Sequence, residues 1–253
     1  MKMKHILKYF SSCCFLLVVT LAQAQEKSTV KTNIETVAEE QAEDSIPVRK
    51  DRYGLRVGVD LFKLTRGFYD KNYKGVELTG DFRWNKKYFL AAELGNENKT
   101  TEDDRLTSNS KGSYLKAGFD YNMYENWLDM ENIISVGLRY GFSTFSEELN
   151  SYKIYNAHPY WGELPPIPAS EKFNGLSASW LEVVTGMKAK MFNNVFVGFS
   201  VQLKTLITNK KPDGFDNLYI PGFNRTYNGS FGIGFNYSVT YFIPLYKKKV
   251  ITK

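Results

Sequence analysis

Phe231-Gly232-Ile233-Gly234-Phe235-Asn236-Tyr237-Ser238-Val239-Thr240-Tyr241 alternates without a break. Its odd positions are large and apolar or aromatic, and its even positions are Gly, Asn, Ser or Thr. Successive side chains of a β-strand point to opposite faces, so this segment has one greasy face and one small, polar face.

Seven further segments upstream carry the same alternation, at 53–61, 76–84, 88–95, 115–122, 134–142, 181–190 and 195–204. Each is close to the 9–11 residues that a tilted strand needs to cross a bilayer. The connections alternate in length. Residues 85–87, 192–194 and the turn around 125–131 are short, whereas 65–73, 96–111, 146–175 and 208–228 are longer. The expected fold is all-β, an eight-stranded antiparallel up-and-down barrel.

Period alone does not say which face is outside, because a soluble lipocalin-like barrel has the same period with its apolar face inward. Three features choose a transmembrane barrel with the apolar face outward. Glycines such as Gly58, Gly118, Gly137, Gly141, Gly186 and Gly198 fall on the charged face. They weaken a strand but suit a lumen barely wide enough for side chains. Tyr53, Trp84, Tyr88, Tyr124, Trp127, Phe192 and Tyr246 gather at one rim, like an interfacial girdle. The short connections all fall at one end, as periplasmic turns do, with long extracellular loops opposite. Both termini are then periplasmic.

The inward face holds both signs of charge: Arg56, Arg83, Lys116, Arg139, Lys188, Lys190 and Lys204 against Asp60, Glu77, Asp81, Glu93, Asp120 and Glu182. Unpaired buried charge is costly, so these groups are expected to pair as a plug. A gated ion path in which one pair opens is the sharper alternative. A standing pore does not suit eight strands.

Lys2, Lys4 and Lys8, the apolar run 10–21 and Ala22-Gln23-Ala24 read as a signal peptide over 1–24. Cys13 and Cys14 lie inside it, so neither a disulfide nor thiol chemistry is expected in the mature chain. Without the signal's lysines, 30 bases stand against 27 acids, too small an excess to imply nucleic acid. Residues 25–50 lack aromatics and cluster Glu35, Glu39, Glu40, Glu43 and Asp44. They read as a disordered acidic periplasmic leader, or a docking segment for a periplasmic partner. The barrel is expected over 51–246, its last strand ending near Ile243 ahead of Pro244, with a basic tail at 247–253.

In this pattern residues 51–246 resemble the small eight-stranded outer-membrane barrels of Gram-negative bacteria. The acidic leader and Tyr-rich strands are similar to a barrel family of Bacteroidota envelopes. The resemblance implies outer-membrane lipid and the barrel-insertion machinery as partners. Such barrels typically end on an aromatic residue read by that machinery; this chain departs from that at Pro244, Tyr246 and Lys247-Lys248-Lys249.

One histidine outlasts the signal, His158, in the loop with Glu163 and Ser170. Some small barrels are lipid-modifying enzymes that use His with Ser or a carboxylate, and His158 is the weak catalytic candidate here. One His with scattered carboxylates is no metal ligand set, and no cofactor motif is present. Tyr160, Trp161, Tyr219 and Phe223 are candidates for binding an extracellular partner; the competing reading is a loop folded over the mouth as a lid. The expectation is a non-enzymatic barrel with a structural or surface-interaction role, with a lipid-modifying enzyme or a small gated channel as alternatives.

Overall fold

Eight antiparallel strands, each hydrogen-bonded to the next, close into a barrel because the first also pairs with the last. The computed structural model describes residues 48–124, 131–154, 160, 162, 164–214, 216–225 and 229–251. The chain divides into units 1–46 and 47–253, and the described residues all lie in the second. The signal peptide, most of the acidic leader, Trp127, His158, Trp161 and Glu163 therefore lie outside the described residues.

The strands are β1 (Val48–Asp60), β2 (Tyr73–Arg83), β3 (Tyr88–Glu102), β4 (Leu106–Asn122), β5 (Ile133–Tyr152), β6 (Ile167–Phe192), β7 (Val195–Asn209) and β8 (Phe231–Ile251), and the described residues also hold a helix, α1 (Leu61–Tyr69). The eight-stranded up-and-down antiparallel order matches the sequence reading. The face assignment does too. Leu78 is 54% exposed and Phe235 47%, whereas Glu182 is 0% and Lys116 1% exposed. The apolar stripes look out and the charges look in, the reverse of a lipocalin.

Strand lengths and ends differ from the reading. Residues 96–111 are not a long loop, because β3 and β4 run on past the apolar belt and meet at 103–105. Likewise β5 and β6 extend to 152 and back from 167. Along β5 the outward residues turn polar at Thr144, Ser146 and Glu148, while Phe145, Glu147 and Leu149 stay buried. Period 2 persists although the outward stripe is no longer greasy. β3–β6 thus form a collar above the belt at the mouth, the end opposite the termini.

The last strand does not stop at Ile243. Gly54 pairs with Pro244 and Tyr53 with Tyr246, so Leu245 is bulged out and pairing resumes to Ile251. A bulge is where a strand tolerates proline's missing N–H. Residues 247–251 pair with 48–52 and are not a free tail, and the barrel spans 48–251 in place of 51–246. Asp51 stands opposite Lys248, a favourable cross-strand pair.

Helix α1 occupies what the sequence reads as the end of the first strand and a loop. Asp60 caps it, accepting from the backbone N–H groups of Phe62 at 2.7 Å and Lys63 at 3.4 Å. That satisfies two of the orphan donors at a helix start. At the rim, Trp84, Tyr88, Phe192 and Tyr246 are exposed, but Tyr53 is buried. Its ring stacks on Tyr246 at 5.3 Å and is covered by the guanidinium of Arg83.

Candidate functional site

The lumen is filled in three tiers. Nearest the termini, Asp81 takes Arg56 Nε at 2.6 Å and Lys188 Nζ at 2.5 Å. Arg56 also lies over Phe89 and Phe196, with 4.8 and 5.4 Å to the ring centroids. Two cation–π faces and one carboxylate keep that buried guanidinium compensated. Below this tier, at the edge, Arg52 holds Glu131 and Asn194, and Lys190 reaches Glu131 at 3.1 Å. Burial opposes ionisation of Glu131, but the Arg52 hydrogen bond and Lys190 outweigh it and hold its carboxyl below the usual range.

In the middle tier, Lys116 Nζ is 2.8 Å from Glu93, 3.3 Å from Glu77 and 3.7 Å from Glu182. Arg139 grips both oxygens of Asp120 at 3.0 and 2.9 Å and reaches Glu93 at 3.0 Å. Lys204 sits 3.4 Å from Glu182, which also accepts the Trp180 indole N–H at 2.7 Å. A side chain at Gly141 would collide with that indole, so glycine there lets Trp180 cross the lumen wall.

The mouth tier is built from elements far apart in sequence. Lys63 of α1 is 2.7 Å from Glu77 and 2.8 Å from Glu97, and hydrogen-bonds the Tyr114 hydroxyl. Glu97 accepts from Tyr219 Oη at 2.6 Å, the Gly222 N–H at 3.0 Å and Tyr73 Oη at 3.1 Å. Segment 217–224 therefore plugs the mouth. Ile220 and Phe223 are fully buried in an apolar cluster with Tyr114, Phe145, Leu176 and Trp180. Phe223 meets Trp180 edge-on at 5.8 Å, and Lys204 Nζ donates to the Gly222 carbonyl at 2.8 Å.

Lys63, Lys116, Lys204, Arg139, Arg56 and Lys188 thus face Glu77, Glu97, Glu93, Glu182, Asp120 and Asp81, and the charges balance. Of the sequence candidates, Asp60, Arg83 and Lys190 stand apart from this network, Lys190 being held by Glu131 at the edge. Asp60 caps α1 and makes no cross-lumen hydrogen bond among the described residues, its carboxyl facing the positive end of the helix. Arg83 lies at the terminal end, 3.7 Å from Asp51 and donating to the Arg52 carbonyl.

Tyr219 and Phe223 are not surface residues, being 4% and 0% exposed inside the plug. Their aromatic character serves packing and one anchoring hydrogen bond. Tyr160 is 85% exposed. Ser170 lies on β6 with φ of 55°, beside a register shift. Lys63, Glu97, Tyr114 and Trp180 complete the site and are not among the sequence candidates. Continuing the inward parity of β3, β4 and β6 by one or two steps reaches Glu97, Tyr114 and Trp180. Nothing of period 2 reaches Lys63, which comes from a helix. Among the described residues, no cluster of His, Cys, Asp and Glu forms a metal site.

Fold and lumen define a closed β-barrel, apolar outside and filled with matched charge inside. The chain belongs to the family described as Domain of unknown function (DUF6048), whose model matches residues 6–248. No curated protein matches it. Among solved structures it is similar to the crystal structure of Ail, the attachment invasion locus protein of Yersinia pestis. The two are 11% identical, with a TM-score of 0.40, over 76% of this chain and 97% of that one.

Proposed function

We propose that the chain is a bacterial outer-membrane barrel, exported by the signal peptide at 1–24, with a sealed lumen and a non-enzymatic structural or surface-interaction role. The belt of exposed Leu, Val, Phe and Tyr around β1–β8 supports membrane insertion, since water would penalise so continuous an apolar surface. With both termini in the periplasm, the mouth and collar stand outside the cell.

The observation that carries the sealed reading is the convergence of Lys63, Tyr219 and Gly222 on Glu97, which fixes the plug to the lumen charges. Two lumen cavities, of about 40 and 10 Å³, hold a few waters at most. The collar tip, where Tyr160 and Leu164 are exposed, is the surface open to a partner.

Gel mobility of the protein taken from the outer-membrane fraction, with and without boiling, tests the placement. A heat-dependent shift is expected. Recovery in the soluble periplasmic fraction without a shift would overturn that placement. Deleting 153–166 is expected to remove surface binding and leave the shift intact.

A further inference from the structure

Helix α1 turns an apolar stripe away from the barrel. Leu61, Leu64 and Phe68, spaced i, i+3 and i+7, share one face. They are 38%, 38% and 89% exposed. The opposite face is tied down: the Phe62 ring meets Phe235 at 4.5 Å, Lys63 enters the lumen and Arg66 stacks on Tyr73 at 4.1 Å. Phe235 belongs to the outward belt, so the helix lies at the upper border of the apolar surface and continues it.

Beside α1 opens a cleft of about 600 Å³. Phe62, Ile233 and Phe235 line it, as do the cations Arg66, Lys99 and Arg225. Two carboxylates stand against them. Asp70 is already bridged by Arg66 Nε at 3.3 Å and Lys99 at 2.8 Å. Glu102 lines the cleft and accepts from Asn72 at 3.1 Å. Among the described residues, the terminal guanidinium nitrogens of Arg66 have no hydrogen-bond partner, and Arg225 comes no closer than 4.0 Å to Asp103. Guanidinium groups with spare donors in one cleft with apolar side chains suit a ligand that joins a phosphate to a hydrocarbon chain.

Building on the outer-membrane reading, we propose that α1 and this cleft bind a phosphate-bearing lipid of the outer leaflet. The phosphate rests on Arg66 and Arg225, and the acyl chain lies along Ile233 and Phe235. The stripe of Leu61, Leu64 and Phe68 packs on neighbouring chains, as interfacial helices do.

The test is native mass spectrometry of the full barrel in maltoside detergent, titrated with phosphatidylglycerol and with diacylglycerol of the same chains. Phosphatidylglycerol is expected to bind specifically, and Arg66→Gln with Arg225→Gln to weaken it about tenfold per guanidinium. Arg225→Gln alone, at a surface position, guards against misfolding of the double variant. Equal binding of diacylglycerol, or unchanged binding by both variants, overturns the proposal. Displacement of the lipid by equimolar inorganic phosphate would assign the site to free phosphate and overturn it as well. The boiled and unboiled gel shift reads the outer-membrane placement separately, so the two failures are distinguishable.

Discussion

Tyr219 donates its phenolic hydrogen to Glu97 at 2.6 Å, joining a loop ahead of the last strand to β3 across 122 positions of sequence. Both groups are buried, and the same carboxylate takes the Gly222 N–H and the Lys63 ammonium. A chain segment is thus pinned inside the barrel by one fully desolvated acid. Hydrogen bonds to a charged group contribute about 1.5–3 kcal/mol each. Tyr219→Phe is expected to lower the temperature at which the compact gel band converts by that share of stability, while the barrel still forms. An unchanged transition would mean that the apolar cluster alone holds the plug.

Lys116 offsets three carboxylates at once. Removing one partner of a buried ion cluster costs about 3–5 kcal/mol, because the remaining charges stay desolvated. Lys116→Met should destabilise the barrel by that order in urea titration. Adding Glu93→Gln restores the charge balance and leaves Arg139 on Asp120, so the double variant should regain part of the loss. A double variant no better than Lys116→Met would show that the pairing is not energetically coupled.

Gly141 and Trp180 form a steric pair. Gly141→Val drives two methyl groups into the indole and displaces it from Glu182 and Phe223. Overpacking of this kind costs about 1–3 kcal/mol. The expected readout is a lower unfolding midpoint together with a changed near-ultraviolet signal from Trp180, and neither change should follow from Gly80→Val, where an added side chain meets only ordinary contacts of 3.7 and 3.9 Å.

Glu147 stands in the collar above the apolar belt, and burial pushes its carboxyl up to about 7 despite the hydrogen bond from Ser108. A carboxyl raised in the folded state is most compatible with folding below its ordinary value and loses that advantage as pH rises towards 7. Glu147→Gln should therefore raise stability at pH 8 relative to the parent and leave it nearly unchanged at pH 4. A variant that is equally stabilised at both pH values would exclude Glu147 as the cause.

Strand number, order and facing were legible because period 2 is strong wherever one face is greasy, as at 134–142 and 231–241. The collar was not, because Thr144, Ser146 and Glu148 remove the contrast while the backbone stays extended. Pro244 misled for a local reason, since a bulge absorbs it. The charges of the middle tier were legible from parity alone. Their completion was not: Lys63 arrives from a helix inserted at Asp60, and Tyr219 with Phe223 from a loop whose aromatic residues read equally well as a surface patch or as a lid.

The proposed function rests on a lumen closed by the barrel's own side chains. Planar-bilayer recording of the purified protein, its insertion verified by heat-dependent gel mobility, tests that most directly. No discrete conductance steps are expected from the parent chain, and brief openings are expected once residues 217–224 are deleted. Steady, discrete conductance from the parent would contradict it, because ions would then be passing a lumen in which Lys63, Glu97 and Tyr219 are locked together.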